Sequence, residues 1–411
     1  MGLVALRKDV MKVLSRSAFL ACLFCCSASR FTLTLVFATL VISHPTDAAS
    51  LDTTVNEEVI MLPVISNGSK LPLETTIFRP PGEGPFPLLV MNHGKDRGNP
   101  ARQTRDRFLA LSREFVRRGY AVAVPMRKGF AASGGSYTDL GCNMTDNGQQ
   151  QADDVESALK ALVQQAWVDR ERILVAGQSY GGLATMAFGT RHFPGVRGLL
   201  NFAGGLRIDG SSCDWKSSLV SAFAGFGART LLPSLWFYGE NDSYFDPALA
   251  ARLQQAYQSA GGSAQLVTFG RFKKDAHGMV GSHDGVTIWL PETERFLKRI
   301  GMPAEPSVRI AEIPRPPATQ FASLANIAAV PYLSEKGRAG YRDYLGKSAP
   351  RAFALSSSGA WSWAEEGDDP AERALAHCQK NSSTECKLYS IDNDVVWEAQ
   401  NISPPPPLSV N

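Results

Sequence analysis

The chain has 411 residues, 44% apolar, 20% charged and 9% aromatic, a composition that excludes a disordered, collagenous or coiled-coil protein. Its net charge of +3 is carried within residues 1–48, where Arg7, Lys8, Lys12, Arg16 and Arg30 outnumber Asp9 and Asp47. The remainder is neutral and has no basic stripe interleaved with aromatics, so a nucleic-acid partner has no electrostatic basis.

The first 49 residues read as a secretory signal peptide. A basic start is followed by Phe31 to Ser43, about 13 apolar residues where roughly 20 are needed to span a bilayer, and then by the small residues Thr46-Asp47-Ala48-Ala49. Cleavage is expected near Ala48 or Ala49, with Met11 an alternative start and Cys22 a weaker lipoprotein-like site. No permanent membrane span is expected after processing, and the mature protein would be periplasmic or secreted. It would keep four cysteines, Cys142, Cys213, Cys378 and Cys386. An even number in an oxidising compartment points to disulfides, and domain membership pairs them 142 with 213 and 378 with 386. Their spacing suits no zinc site.

From residue 57 to 300, strand-length apolar runs alternate with helix-length amphipathic stretches, the pattern of an α/β domain with a doubly wound, mostly parallel sheet. Eight strands are predicted: Glu58 to Ile65, Leu73 to Phe78, Pro87 to Asn92, Ala121 to Pro125, Arg172 to Gly177, Gly198 to Phe202, Ser234 to Gly239 and Ala264 to Phe269. Between them, helices are predicted over Gln103 to Arg118, Gly148 to Gln165, Tyr180 to Arg191 and Pro247 to Ala260. Residues 50–300 thus form the first domain. Pro303, Pro306, Pro314, Pro316 and Pro317 mark a linker over 301–317.

A small α+β domain is expected over 318–400. Helices are predicted at Phe321 to Val330, Glu335 to Leu345 and Pro370 to Gln379, and strands at Arg351 to Leu355, Lys387 to Ile391 and Val395 to Trp397. Trp361, Trp363 and Trp397 read as its core, with an exposed binding surface the alternative. The tail 401–411 is Pro-rich and expected to be disordered.

Gly177-Gln178-Ser179-Tyr180-Gly181 carries the chemistry. It follows the strand RILVAG and opens a helix, which would lift the Ser179 hydroxyl on a sharp turn and aim helix amides at a developing oxyanion; Gly177 and Gly181 allow strand and helix to close in. The weaker alternative is a serine that merely caps the helix. A serine nucleophile needs a base and an orienting carboxylate, and in this fold they follow later strands in the order acid, then histidine. Asp242 in GENDSYF and His277 in DAHGM occupy those places. Glu240 and Asp246 compete for the acid position, and His283 for the base; His192 and His377 lie elsewhere. After the third strand, His93-Gly94-Lys95 offers the Lys95 amide as second oxyanion donor beside that of Tyr180. His93 and Arg127 are candidates for contact with substrate, and Lys95, Arg127 and Lys128 could attract a substrate carboxylate.

Taken together, GQSYGG, HGK, RKGFAASGG, GENDSYF and DAHGM resemble the dienelactone hydrolase branch of the α/β-hydrolases over residues 57–300. The resemblance implies an eight-stranded hydrolase sheet, no metal and no organic cofactor. Ser179 stands where the strict dienelactone hydrolases have cysteine, which moves the chain toward secreted esterases and the catalytic domains of prolyl-oligopeptidase-like enzymes. A carboxylic ester of a small or accessible substrate is the expected target, since only about 30 residues separate Phe202 from Ser234, room for a small cap and not a large lid. A peptide substrate, or a binding role on an inactive hydrolase fold, is the alternative.

Overall fold

Strand-length apolar runs become sheet because every second side chain enters a different hydrophobic layer. In the third strand, Leu88 and Val90 enter one layer and Leu89 and Met91 the other, so a strand covered on both faces reads as continuous hydrophobicity. The structure is a computed structural model that describes residues 50–66, 68–209, 213–312 and 314–398. The leader with its cleavage site and the tail 401–411 lie outside the described residues.

The strands of the first sheet are β1 (Glu58–Ser66), β2 (Ser69–Phe78), β3 (Phe86–Asn92), β4 (Ala121–Pro125), β5 (Val168–Gln178), β6 (Val196–Phe202), β7 (Pro233–Gly239) and β8 (Ser263–Phe269). Their order is β1-β2-β4-β3-β5-β6-β7-β8. β2 runs antiparallel to β1 and β4, and all pairings from β4-β3 onward are parallel. This is the α/β-hydrolase fold. Helices α1 (Leu109–Arg117) and α6 (Val286–Arg299) cover one face with Phe115, Trp289 and Phe296. On the other lie α2 (Met144–Leu162), α3 (Tyr180–Phe188), α4 (Trp215–Gly227) and α5 (Pro247–Ser259), which bury Leu159, Leu183, Phe223 and Leu253.

Two elements of this sheet layer were absent from the sequence-based expectations. The segment expected as a cap is mostly α4, packed into the helical layer through Phe223 and Phe226; its Gly and Ser content blurs the helical period. α6 contains Pro291, whose missing N–H costs one helical hydrogen bond, yet Trp289, Phe296 and Leu297 bury its apolar stripe.

The Pro-rich segment after α6 has no regular structure, but it is bound to the sheet domain. Ser307 and Val308 donate backbone N–H to the Arg117 carbonyl at 2.8 and 2.9 Å, Tyr120 donates its hydroxyl to Pro303 O, and Met302, Ala304 and Ile310 join the α1/α6 core. Beyond it lies a second, antiparallel sheet in the order β10-β9-β11-β12, built from β9 (Arg351–Ser356), β10 (Trp361–Glu365), β11 (Cys386–Ile391) and β12 (Asp394–Val395). Helix α7 (Glu335–Leu345) packs Tyr341 and Tyr344 on its aromatic face, and α8 (Pro370–Gln379) packs Ala374 and Cys378 on a face lined by Ala352, Ala354 and Ala364.

The helix expected over Phe321 to Val330 is reduced to a single turn, Ile327–Ala329, because Pro331 stops it and, Val330 apart, its apolar residues are not buried. β10 was unforeseen. Its Trp361 stacks on Phe353 at 5.9 Å between ring centroids and covers Gly340, where an added Cβ would lie 2.0 Å from the indole, so this tryptophan is core.

The two cystine pairs are those expected, Cys142–Cys213 and Cys378–Cys386. The first spans 71 residues and joins the loop before α2 to that before α4. Loop-closure entropy for a span of this length is worth about 4 kcal/mol. A Cys142→Ser/Cys213→Ser double variant is therefore expected to lose stability on that scale in urea unfolding, several times more than a typical surface substitution.

Candidate active site

Ser179 connects β5 to α3 with φ 55° and ψ −122°, a backbone conformation rarely adopted by L-residues and held only where surroundings enforce it. They do so here: Ser179 N donates to Phe202 O at 3.0 Å, and its carbonyl accepts from Gly205 N at 2.9 Å and Leu183 N at 3.1 Å. The glycines make room for close approach. A Cβ on Gly177 would lie 2.1 Å from Gly181 O, and one on Gly181 would lie 2.1 Å from Asn92 O. Although Ser179 is the N-cap of α3, its side chain makes no capping hydrogen bond, unlike a serine that merely caps a helix.

Asp242 follows β7 and His277 lies in the turn Ala276–Gly281 after β8. His277 Nδ1 is 3.1 and 3.2 Å from the two Asp242 carboxylate oxygens. That carboxylate is fully buried and also accepts Tyr244 N at 2.8 Å and Phe245 N at 3.0 Å. A carboxylate in this place accepts a proton carried on Nδ1, the tautomer that leaves Nε2 free to act as a base. Tyr244 packs on the ring, with centroids 4.4 Å apart. Among the described residues no hydrogen bond joins Ser179 Oγ to His277. The two loops are instead joined one residue away, where Gln178 Nε2 donates to the His277 carbonyl at 3.1 Å.

The competing residues are otherwise engaged. Asp246 caps α5 by accepting Leu249 N and pairs with Lys216. Glu240 and His283 are exposed, as are His192 and His377.

The turn His93-Gly94-Lys95 passes against the elbow: a Cβ on Gly94 would lie 3.3 Å from Ser179 Cβ and 2.6 Å from Gln178 Oε1. The Lys95 amide therefore belongs to the peptide beside Ser179. Lys95 Nζ sits 5.6 Å over the Tyr137 ring. His93 and Arg127 depart from the expectation that they touch substrate, for they are buried at 0% and 1% exposure. His93 Nε2 accepts Arg127 N at 2.9 Å while Nδ1 lies 2.6 Å from Gly94 O, an arrangement that requires a neutral ring protonated at Nδ1. Burial, then the Arg127 charge, hold its pKa well below the ordinary histidine value. The Arg127 guanidinium is packed on Phe130 and Tyr180 and bonded to Gln151, and burial lowers its pKa to about 10. His93 thus fixes the turn carrying the Lys95 amide.

A depressed folded-state pKa means that the unfolded chain binds the extra proton. The stability contributed by neutral His93 is therefore present above about pH 6.5 and declines as pH falls below it, by at most about 1.4 kcal/mol per pH unit. In urea unfolding at pH 7.5 and 5.5, His93→Gln is expected to lose less stability on acidification than the parent.

Sequence reasoning missed Asn241 and Asp275. Asn241 Oδ1 accepts Phe272 N at 2.8 Å and its Nδ2 donates to Phe272 O and Lys273 O. Asp275 accepts His277 N at 2.9 Å, Ser243 N at 3.1 Å and the Ser243 hydroxyl. These two side chains fasten the acid loop to the histidine loop. A cavity of about 490 Å³ opens beside Asp242, between Arg207, Trp215, Lys216 and Tyr244. Among the described residues no group of His, Cys, Asp and Glu side chains is arranged to hold a metal, and no helix is long and apolar enough to cross a membrane.

A family model described as the prolyl oligopeptidase family matches residues 108–195, a stretch that includes the elbow but neither Asp242 nor His277. No curated protein matches the chain. Similar solved structures include a Mycobacterium tuberculosis puromycin-hydrolyzing peptidase, at 21% identity and TM-score 0.44 over 62% of this chain and 41% of that one. A Pyrococcus furiosus esterase matches at 14% identity and TM-score 0.45 over 62% of this chain and 95% of its own. A Klebsiella pneumoniae protein assigned as a dienelactone hydrolase matches at 16% identity and TM-score 0.39 over 60% and 98%. The chain thus spans less than half of the peptidase and nearly all of the two smaller hydrolases.

Proposed function

We propose that this protein is an exported serine hydrolase that cleaves a carboxylic ester through Ser179, His277 and Asp242. The observation that carries the reading is the pairing of His277 Nδ1 with a buried carboxylate at 3.1 Å, in a loop bonded to the residue preceding a strained, uncapped serine. His277 Nε2 takes the Ser179 proton as Oγ bonds to the ester carbonyl carbon. The Tyr180 and Lys95 amides stabilise the oxyanion, His277 returns the proton to the leaving alkoxide, and an acyl-enzyme remains. Water, deprotonated by Nε2, then releases the acid and restores Ser179. Every proton is carried by His277, so the reaction calls on no cofactor. The two disulfides and the leader support export.

The match of residues 108–195 to the prolyl oligopeptidase family favours a second reading, a peptidase with the same nucleophile. Turnover of p-nitrophenyl acetate and butyrate against dipeptidyl and aminoacyl p-nitroanilides separates the two. Ester turnover at least about 100-fold above anilide turnover in kcat/KM, lost in Ser179→Ala, is expected; the reverse preference would assign a peptidase, and activity retained in the variant would remove Ser179 from either mechanism.

A further inference from the structure

We propose that the C-terminal sheet unit is a positioning element for His277 and that Lys273 transmits its effect. This rests on the hydrolase reading above. Lys273 lies on the histidine loop, four residues before His277, and its side chain is only 12% exposed. Its ammonium has three protons to donate and three oxygen partners: the Ala349 carbonyl, Ser282 Oγ at 2.9 Å and Asp284 Oδ2 at 3.1 Å. Ala349 belongs to the turn that leads into β9, so the C-terminal unit supplies one of the three.

The Lys273 backbone is at φ 46°, which persists only where neighbours over-determine it. The side-chain anchor is one such constraint, and Asn241 is the other, donating to Lys273 O at 3.2 Å. Asn241 directly precedes Asp242, and Asp275, two residues beyond Lys273, holds His277 N. A displacement of Lys273 is therefore carried at both ends into the Asp242-His277 pair. A parallel link reaches Lys274, whose ammonium lies 3.3 Å from Glu365 on β10. Glu365 also accepts Ser348 N at 3.2 Å and pairs with Lys347, which fixes the Ala349 turn from its own side. Lys274 is largely exposed, so its ion pair is the weaker link. Lys273 does not reach the reacting atoms and is not among the residues lining the cavity beside Asp242; what it controls is where Nε2 sits relative to Ser179.

The test compares Lys273→Met, Lys273→Arg and Glu365→Ala with the parent in the full mature chain. It uses p-nitrophenyl butyrate and fluorophosphonate labelling, with rates expressed per folded molecule by circular dichroism. Misplacing a base by about 1 Å costs up to about 100-fold. Lys273→Met is expected to lower kcat about 10- to 100-fold with KM within about twofold, and to slow labelling equally. Lys273→Arg, which keeps the donors, should recover to within about threefold of the parent, and Glu365→Ala should lose about two- to fivefold by loosening the Ala349 turn. Should Lys273→Met fail to fold, Glu365→Ala decides alone, since Glu365 is partly exposed and its removal leaves the three partners of Lys273 in place. Parent-like kcat in every folded variant, or a change confined to KM, overturns the positioning role and leaves the hydrolase reading intact. A folded parent that neither labels nor turns over overturns that reading, and this proposal with it.

Discussion

Replacing His277 with alanine is expected to reduce kcat for p-nitrophenyl butyrate by about 10⁵- to 10⁶-fold, and Asp242→Asn by about 10⁴-fold. The difference in size has a structural reason. In the proposed mechanism the imidazole alone takes the Ser179 proton, whereas without the Asp242 charge that base would remain but lose its tautomer and orientation. The buried carboxylate also accepts the Tyr244 and Phe245 amides, contacts that the carboxamide oxygen of the substituted side chain can keep, so the acid loop should stay folded. Thermal unfolding of both variants should stay within a few degrees of the parent. A loss of less than about tenfold in His277→Ala would assign the base elsewhere.

The second large effect is on folding. Gly181→Ala would place a methyl 2.1 Å from Asn92 O and 2.4 Å from His93 O. Both are backbone atoms, at the end of β3 and the start of the oxyanion turn, so no side chain can rotate away. The methyl fits only if α3 separates from β3, and a cost above about 4 kcal/mol, or no soluble protein, is expected. Gly225 in α4 is the control, because a Cβ there meets nothing within 4 Å. Gly225→Ala should gain up to about 1 kcal/mol from helix propensity. Urea unfolding of both variants reads the contrast; equal stability would refute the close approach at the elbow.

What could be read in the sequence divides along physical lines. β3, β4, β6 and β7 are buried on both faces and announce themselves as unbroken apolar runs. β5 was expected to begin at Arg172, yet pairing with β3 starts at Val168, where Asp169, Arg170 and Glu171 hide the strand behind polar side chains. The places of Ser179, Asp242 and His277 in the fold were legible because each follows a recognisable strand in a fixed order. The side chains that hold the site were not: Asn241, Asp275 and Lys273 act on backbone atoms of other loops, and Lys273 finds Ala349 76 residues away. His93 and Arg127 are polar residues at the right loop, but composition does not tell that the chain closes over them. Trp361 was expected in the core and packs there against Phe353 and the α7 glycines Gly337 and Gly340, but the strand that carries it, β10, was not foreseen.

Covalent labelling of the folded mature protein with a fluorophosphonate, followed by peptide mass spectrometry, tests the central claim most directly. A single phosphonyl adduct on Ser179, absent from Ser179→Ala and slowed in His277→Ala, is the result that this mechanism predicts. A folded parent without an adduct, or with its adduct on another residue, would contradict it.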